Sequence, residues 1–278
     1  MRDLMIIAEL TLREARRRKI VWVALGLGLL FVLLYATGFY FIVQDVRRYS
    51  RGRDLALDMG FNFVVVAAYY VISFLGVVLA VLTSVGALAG EVQTHTIQAL
   101  ASKPLQRRVI VLGKWLGLAG MMALYLALLC GGVTLATWLI SDYVPPHVLP
   151  ATALIVFQAL IMLSLSILGG TRLSTVTNGV VAFMLYGVAF IGGWIEQIGA
   201  VAQNATAVDI GILSSLVVPS EAMWKMAAYA LHPPFIRALG VSPFVSASAP
   251  SPAMLAYAAA YTVAMIWLAV RSFDRRDL

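Results

Sequence analysis

Few side chains in this chain of 278 residues could do covalent or metal chemistry. There is one cysteine, Cys130, and three histidines, His95, His147 and His232, far apart in sequence. A structural or catalytic metal site needs several such ligands at short spacing, and that pattern does not occur. Each histidine reads as a local hydrogen-bonding or interfacial residue. No Gly-x-Ser-x-Gly nucleophile turn and no His-Glu-x-x-His zinc helix is present. Gly113-Lys114 has the ending of a phosphate-binding loop. However, Trp115 stands where that loop needs Ser or Thr, and Arg108 stands where it needs its first glycine. The chain has no Walker loop. If ATP is used, another polypeptide must bind it, and no cofactor or metal is expected in this chain.

One polar segment, 90–114, carries Glu91, Thr96, Pro104, Arg107, Gly113 and Lys114. Its pattern predicts a short helix to about Leu100, a bend near Lys103 and a second helix. The bend follows because a residue before proline is steered out of the helical region. A stiff segment held between two membrane helices could pass force from a partner to both. The alternative is an ordinary basic loop.

The elements that position this segment are set by composition. The chain is 62% hydrophobic and only 12% charged, about half the charge of a soluble domain. A bilayer crossing needs about 20 mainly apolar residues. Six stretches qualify: 20–43, 61–89, 115–140, 148–170, 173–194 and 253–270, none with Asp, Glu, Lys or Arg. The expected fold is therefore all-α, a single polytopic membrane domain over 1–278 with six transmembrane helices. The first apolar run is too long for a cleavable signal peptide. Ionisable residues inside spans mark proton or ion pathways; their absence argues against an ion-coupled transporter and an intramembrane aspartyl protease.

Charge then orients the chain. If both termini are cytoplasmic, fourteen of the twenty Lys and Arg residues lie inside, as the positive-inside bias requires. The net charge of +7 is then a statement about topology, and nucleic-acid binding is not needed to explain it. Residues 1–19 place Leu4, Ile7, Ala8, Leu12 and Ala15 on one helical face, with Glu9/Arg13 and Glu14/Arg18 as i,i+4 acid–base pairs. This predicts an amphipathic helix lying on the inner membrane surface. A basic tail that only fixes topology is the other reading.

On the outside, residues 44–60 carry four arginines and three acids, which reads as a solvated loop or as a patch for anions. Residues 196–252 form a longer outer segment. Within it Ser220 is expected to cap a helix whose apolar face is Met223, Trp224, Ala227, Ala228 and Leu231, ended by His232-Pro233-Pro234. It could lie on the outer interface or dip into the membrane. Small residues recur at helix-packing spacing, as in Gly86/Gly90, Gly113/Gly117 and Ala256/Ala260/Ala264. Gln158, Ser164, Ser166 and Asn178 are candidates for interhelical hydrogen bonds or for a lined pathway. Cys130 reads as a packing residue.

The segment 90–114 resembles the permease subunits of ABC-2 type ABC transporters. Their pattern is a Glu, a Gly-Thr five residues on, Pro-x-x-Arg, and Gly-Lys six residues after that Arg. Glu91, Thr96, Pro104, Arg107, Gly113 and Lys114 fall at those spacings, while His95 replaces the usual Gly and Val92 a usual polar residue. Glu9, Arg13, Arg16, Arg17 and Arg18 are similar to the family's N-terminal elbow helix. The likeness is greatest to single-polypeptide bacterial permeases, including the one linked to nitrous-oxide-reductase maturation.

The resemblance implies a transmembrane permease subunit of an ATP-driven exporter in the bacterial cytoplasmic (inner) membrane. It implies a separate cytoplasmic ABC ATPase that binds ATP, and a second permease subunit, in a homodimer or heterodimer. The segment around 91–102 would be a coupling helix docking on the ATPase, and 196–252 would form the outer gate. The rival reading is a self-sufficient channel or facilitator. A membrane enzyme is disfavoured because convergent catalytic groups are missing.

Overall fold

The computed structural model describes residues 2–17, 19–49, 55–93, 106–239 and 251–275. Among them there are ten helices and no strand. They are α1 (Arg2–Arg17), α2 (Lys19–Tyr49), α3 (Leu55–Gln93), α4 (Arg107–Ser141), α5 (Val148–Gly170), α6 (Thr175–Val201), α7 (Ala205–Val217), α8 (Ser220–Leu231), α9 (Pro234–Leu239) and α10 (Pro252–Asp274). Six of them, α2 to α6 and α10, are long and apolar enough to cross a membrane. The protein is an all-α polytopic membrane protein.

The helices run further than the apolar stretches. At 1.5 Å per residue, α3 is about 58 Å long and α4 about 52 Å, against a hydrocarbon core of about 30 Å. The excess must leave the hydrocarbon or be taken up by tilt. Residues 107–114 are part of α4, continuous with the third span. α6 continues through Glu196 to Val201, so helix covers the first residues of the 196–252 segment.

The core lies where α3, α4 and α5 meet. Val65, Tyr69 and Ile72 of α3, Met122 and Leu126 of α4, and Ile155 and Met162 of α5 are fully enclosed. Polar groups there pair between helices. The Tyr69 hydroxyl lies 2.7 Å from Thr134 Oγ1, Trp115 Nε1 donates to Ser164 Oγ at 2.8 Å, and Asn178 Nδ2 donates to the Ser166 carbonyl at 2.8 Å. Ser164, Ser166 and Asn178 thus join helices or turns. Gln158 does not: it is buried, and neither polar atom of its amide has a partner. Cys130 is buried in the core cluster. In contrast, α2 and α10 leave most of their surface open. Trp22, Leu27, Leu33, Leu34 and Phe41 on α2 are exposed, a face that is stable away from water, against lipid tails or another membrane helix. Ala256, Ala260 and Ala264 on α10 are likewise exposed.

α7 and α8 are bent by 110° across a break of a few residues, the geometry of a broken span or a re-entrant pair. α7 packs back along α6, and α8 packs against α5. The apolar face expected for α8 is buried in full: Met223, Trp224, Ala227, Ala228 and Leu231. Ser220 is not the cap. Pro219 holds that position, and Ser220 is the first helical residue, with its hydroxyl buried and unpartnered. At the other end Asn62 Nδ2 donates to the Leu231 carbonyl at 2.8 Å and to the Tyr143 hydroxyl at 2.9 Å. One amide thereby joins the start of α3, the end of α8 and the α4–α5 connection.

Candidate coupling site

Three helices, α1, α3 and α4, converge where α3 ends and α4 begins. α1 lies along α4, and two glycines allow the approach. A Cβ on Gly113 would fall 2.6 Å from Ile7 Cγ2, and one on Gly117 would fall 2.6 Å from the Ala8 carbonyl oxygen. Any side chain there would drive α1 off. The buried side of α1 is Ile7, Thr11 and Ala15, an i, i+4, i+8 stripe. Leu12, expected on that face, is exposed with Met5, Ile6 and Leu10. Apolar side chains thus flank the seated stripe on both sides, while the Glu9/Arg13 pair occupies the side away from α4. Trp22 Nε1 donates to the Arg16 carbonyl at 2.8 Å and closes the corner into α2.

Lys114, with only 5% of its surface exposed, sits at the centre. Its Nζ donates to the Ala87 carbonyl of α3 at 2.7 Å. Thr11, Glu14 and Ala15 of α1, Thr83 and Ala87 of α3, and Leu118 of α4 line the small gap around it. A buried ammonium is tolerated only with hydrogen-bond acceptors, and here the acceptor belongs to the neighbouring helix.

Arg107, the first residue of α4, donates from Nη1 to the Asp274 carbonyl at 3.2 Å, reaching the end of α10. The expected site residues thus divide. Arg107, Gly113 and Lys114 stand on one helix and link α4 to α10, α1 and α3 in turn. Glu9 and Arg13 form an exposed i,i+4 ion pair on the open side of α1, and Arg16 and Arg17 are exposed near its end. Glu91 belongs to the last turn of α3. Thr96, Pro104 and Arg18 lie outside the described residues, as does the predicted helix to Leu100.

Sequence reasoning missed a second polar site. No ionisable residue was expected in a span, yet Glu196 belongs to α6, a helix long and apolar enough to cross a membrane, and its Oε2 accepts from Lys225 Nζ of α8 at 2.6 Å, with the lysine 9% and the glutamate 16% exposed. Glu221, one turn before Lys225, is 4% exposed. Its Cγ lies 2.4 Å from where a Cβ on Gly193 would be, so this glycine makes room for it. Aromatic rings enclose the cluster. Tyr70 and Trp224 have centroids 5.0 Å apart, and Trp194 Nε1 donates to the Tyr70 hydroxyl at 3.0 Å. Glu221 stands ten residues, about 15 Å, along α8 from the end held by Asn62. The i,i+4 spacing of Glu221 and Lys225 was the available signal. It does not name Glu196, which stands on α6.

Residues 5–278 match the ABC-2 family transporter proteins, and the chain belongs to that family. It is a multi-pass membrane subunit of an ABC transporter, with a transport role and not a catalytic one. A comparison with curated proteins gave no match.

Proposed function

We propose that this subunit is the permease half of an ATP-driven exporter and takes its energy from a separate cytoplasmic ABC ATPase docked on residues 91–102. The observation that supports this most is the Lys114–Ala87 bond, which pins together the two helices flanking that segment. Force applied to the segment would reach α3 and α4 together, α1 through Gly113 and Gly117, and α10 through Arg107. An uncoupled channel has no need of such a junction. Two copies, or two related permeases, would pair with the substrate path between them, both termini cytoplasmic, and α7–α8 closing the outer side.

Co-purification with the ATPase tests the docking. Glu91→Ala and Pro104→Ala should each release the ATPase from a permease that still folds. Unchanged association in both variants would overturn the assignment. For orientation, a cysteine placed at Ser102 should resist impermeant maleimide in intact cells; efficient labelling would invert the topology.

A further inference from the structure

The α5–α6 turn and the end of α10 enclose a cleft of about 480 Å³ that the coupling site does not use. Arg172 comes from the turn, Arg271 from the last turn of α10, and Arg275 caps its end. These are about a hundred positions apart in sequence, and all three are exposed side chains directed to one cleft. Among the described residues no acidic side chain lines it. The topology bias accounts for arginine on this face, and helix C-termini favour a cation nearby. Neither accounts for three arginines lining one cavity with no carboxylate among the described residues of its wall, where their charges repel one another unless an anion is present.

The cleft is prepared on both its polar and apolar sides. Ser272 accepts from Arg172 Nε at 3.0 Å and from Thr171 Oγ1 at 2.9 Å, which fixes the Arg172 guanidinium relative to α10. Arg271 lies over the exposed Trp267 ring at 5.2 Å, an interfacial arrangement of aromatic and cation. Leu168, Leu173 and Leu268 complete the wall. A small inorganic anion would have no use for three leucines. A phospholipid has use for both walls, since basic pockets between membrane helices accept anionic headgroups.

We propose that this cleft binds an anionic phospholipid, with its phosphate between Arg172, Arg271 and Arg275 and its acyl chains along Leu173 and Leu268. The lipid would tie the α5–α6 turn to the end of α10, the same helix end that Arg107 holds from the other side.

Native mass spectrometry of the full-length protein, titrated with phosphatidylglycerol or phosphatidylcholine, tests this. The wild type should retain phosphatidylglycerol about tenfold better than phosphatidylcholine. R172Q/R271Q/R275Q should lose that preference. R47Q/R48Q, on exposed arginines of the opposite face, should keep it, and R275Q alone should lose part of it with unchanged thermal unfolding. Millimolar inorganic phosphate should not displace the lipid. Equal retention by the triple variant, or equal loss in R47Q/R48Q, overturns the proposal. Displacement by phosphate would make the site one for a free anion. A triple variant that keeps lipid but sheds a co-purified ATPase would make it a protein contact. Either result also overturns the proposal.

Discussion

Lys114 Nζ and the backbone oxygen of Ala87 are 2.7 Å apart, in a position only 5% exposed. A charged donor thus holds α4 to α3 through the main chain, so the bond does not depend on which side chain occupies position 87. Lys114→Met keeps most of the stem and removes the donor. It should cost about 1.5–3 kcal/mol, the usual value of a hydrogen bond to a charged group. It should also reduce the stimulation of the partner ATPase by transported solute. Thermal unfolding in detergent and ATPase assays check the two effects. A stable variant with full stimulation would show that the bond does not pin the helices.

Gly117 and Gly120 lie on the same helix and make opposite demands. A Cβ at Gly117 meets the Ala8 carbonyl at 2.6 Å, whereas nothing lies within 4 Å of one at Gly120. Gly117→Val should therefore lift α1, and a cysteine at the buried Thr11 should become labelled by maleimide. Gly120→Val should leave that cysteine protected. Protection in both variants would mean that the elbow does not rest on Gly117.

Lys225→Met leaves Glu196 and Glu221 buried beside each other without their cation. Removing one partner of a buried pair costs about 3–5 kcal/mol. Replacing both, as in Lys225→Met with Glu196→Gln, should recover much of that loss, because no charge of the pair is then stranded. Denaturation midpoints of the single and double variants give the comparison. A double variant no better than Lys225→Met would show that the pair itself is not the issue.

Gly193→Ala places a methyl 2.4 Å from Glu221 Cγ and 3.1 Å from its carboxyl carbon. The strain should be relieved by displacing α8 from α6, seen as faster amide exchange at the end of α8 held by Asn62. Gly187→Ala, where no atom lies within 4 Å, should leave exchange unchanged.

The six crossings were legible because a bilayer imposes one simple demand, a run of apolar residues long enough to span it. The seat of the elbow was half legible. Gly113 and Gly117 announced a close approach, but four-residue spacing does not say which helix approaches. Leu12 shows the limit of a one-face pattern. In a helix lying between protein and lipid, apolar residues serve two surfaces, and periodicity cannot tell Leu12 outside from Thr11 inside. The Glu196–Lys225–Glu221 cluster was hidden for a deeper reason. Glu196 stands 25 residues before Glu221 and 29 before Lys225, and it takes the reversal after α6 together with the bend at Val217–Ser220 to bring α8 back to it. A charge in a sequence is read as wet until a partner is found for it, and that partner lay on another helix.

The pin at Lys114 has a mechanical consequence. It stands seven residues from the start of α4 at Arg107 and twenty-seven from its end at Ser141, arms of about 10 Å and 40 Å. If α4 tilts as a rigid rod about that point, it is a lever with a short input arm and a long output arm. A shift of about 1 Å at Arg107 becomes about 4 Å at the far rim. Movement at the face that carries Arg107 is thereby amplified roughly fourfold at the face where α8 is tied down.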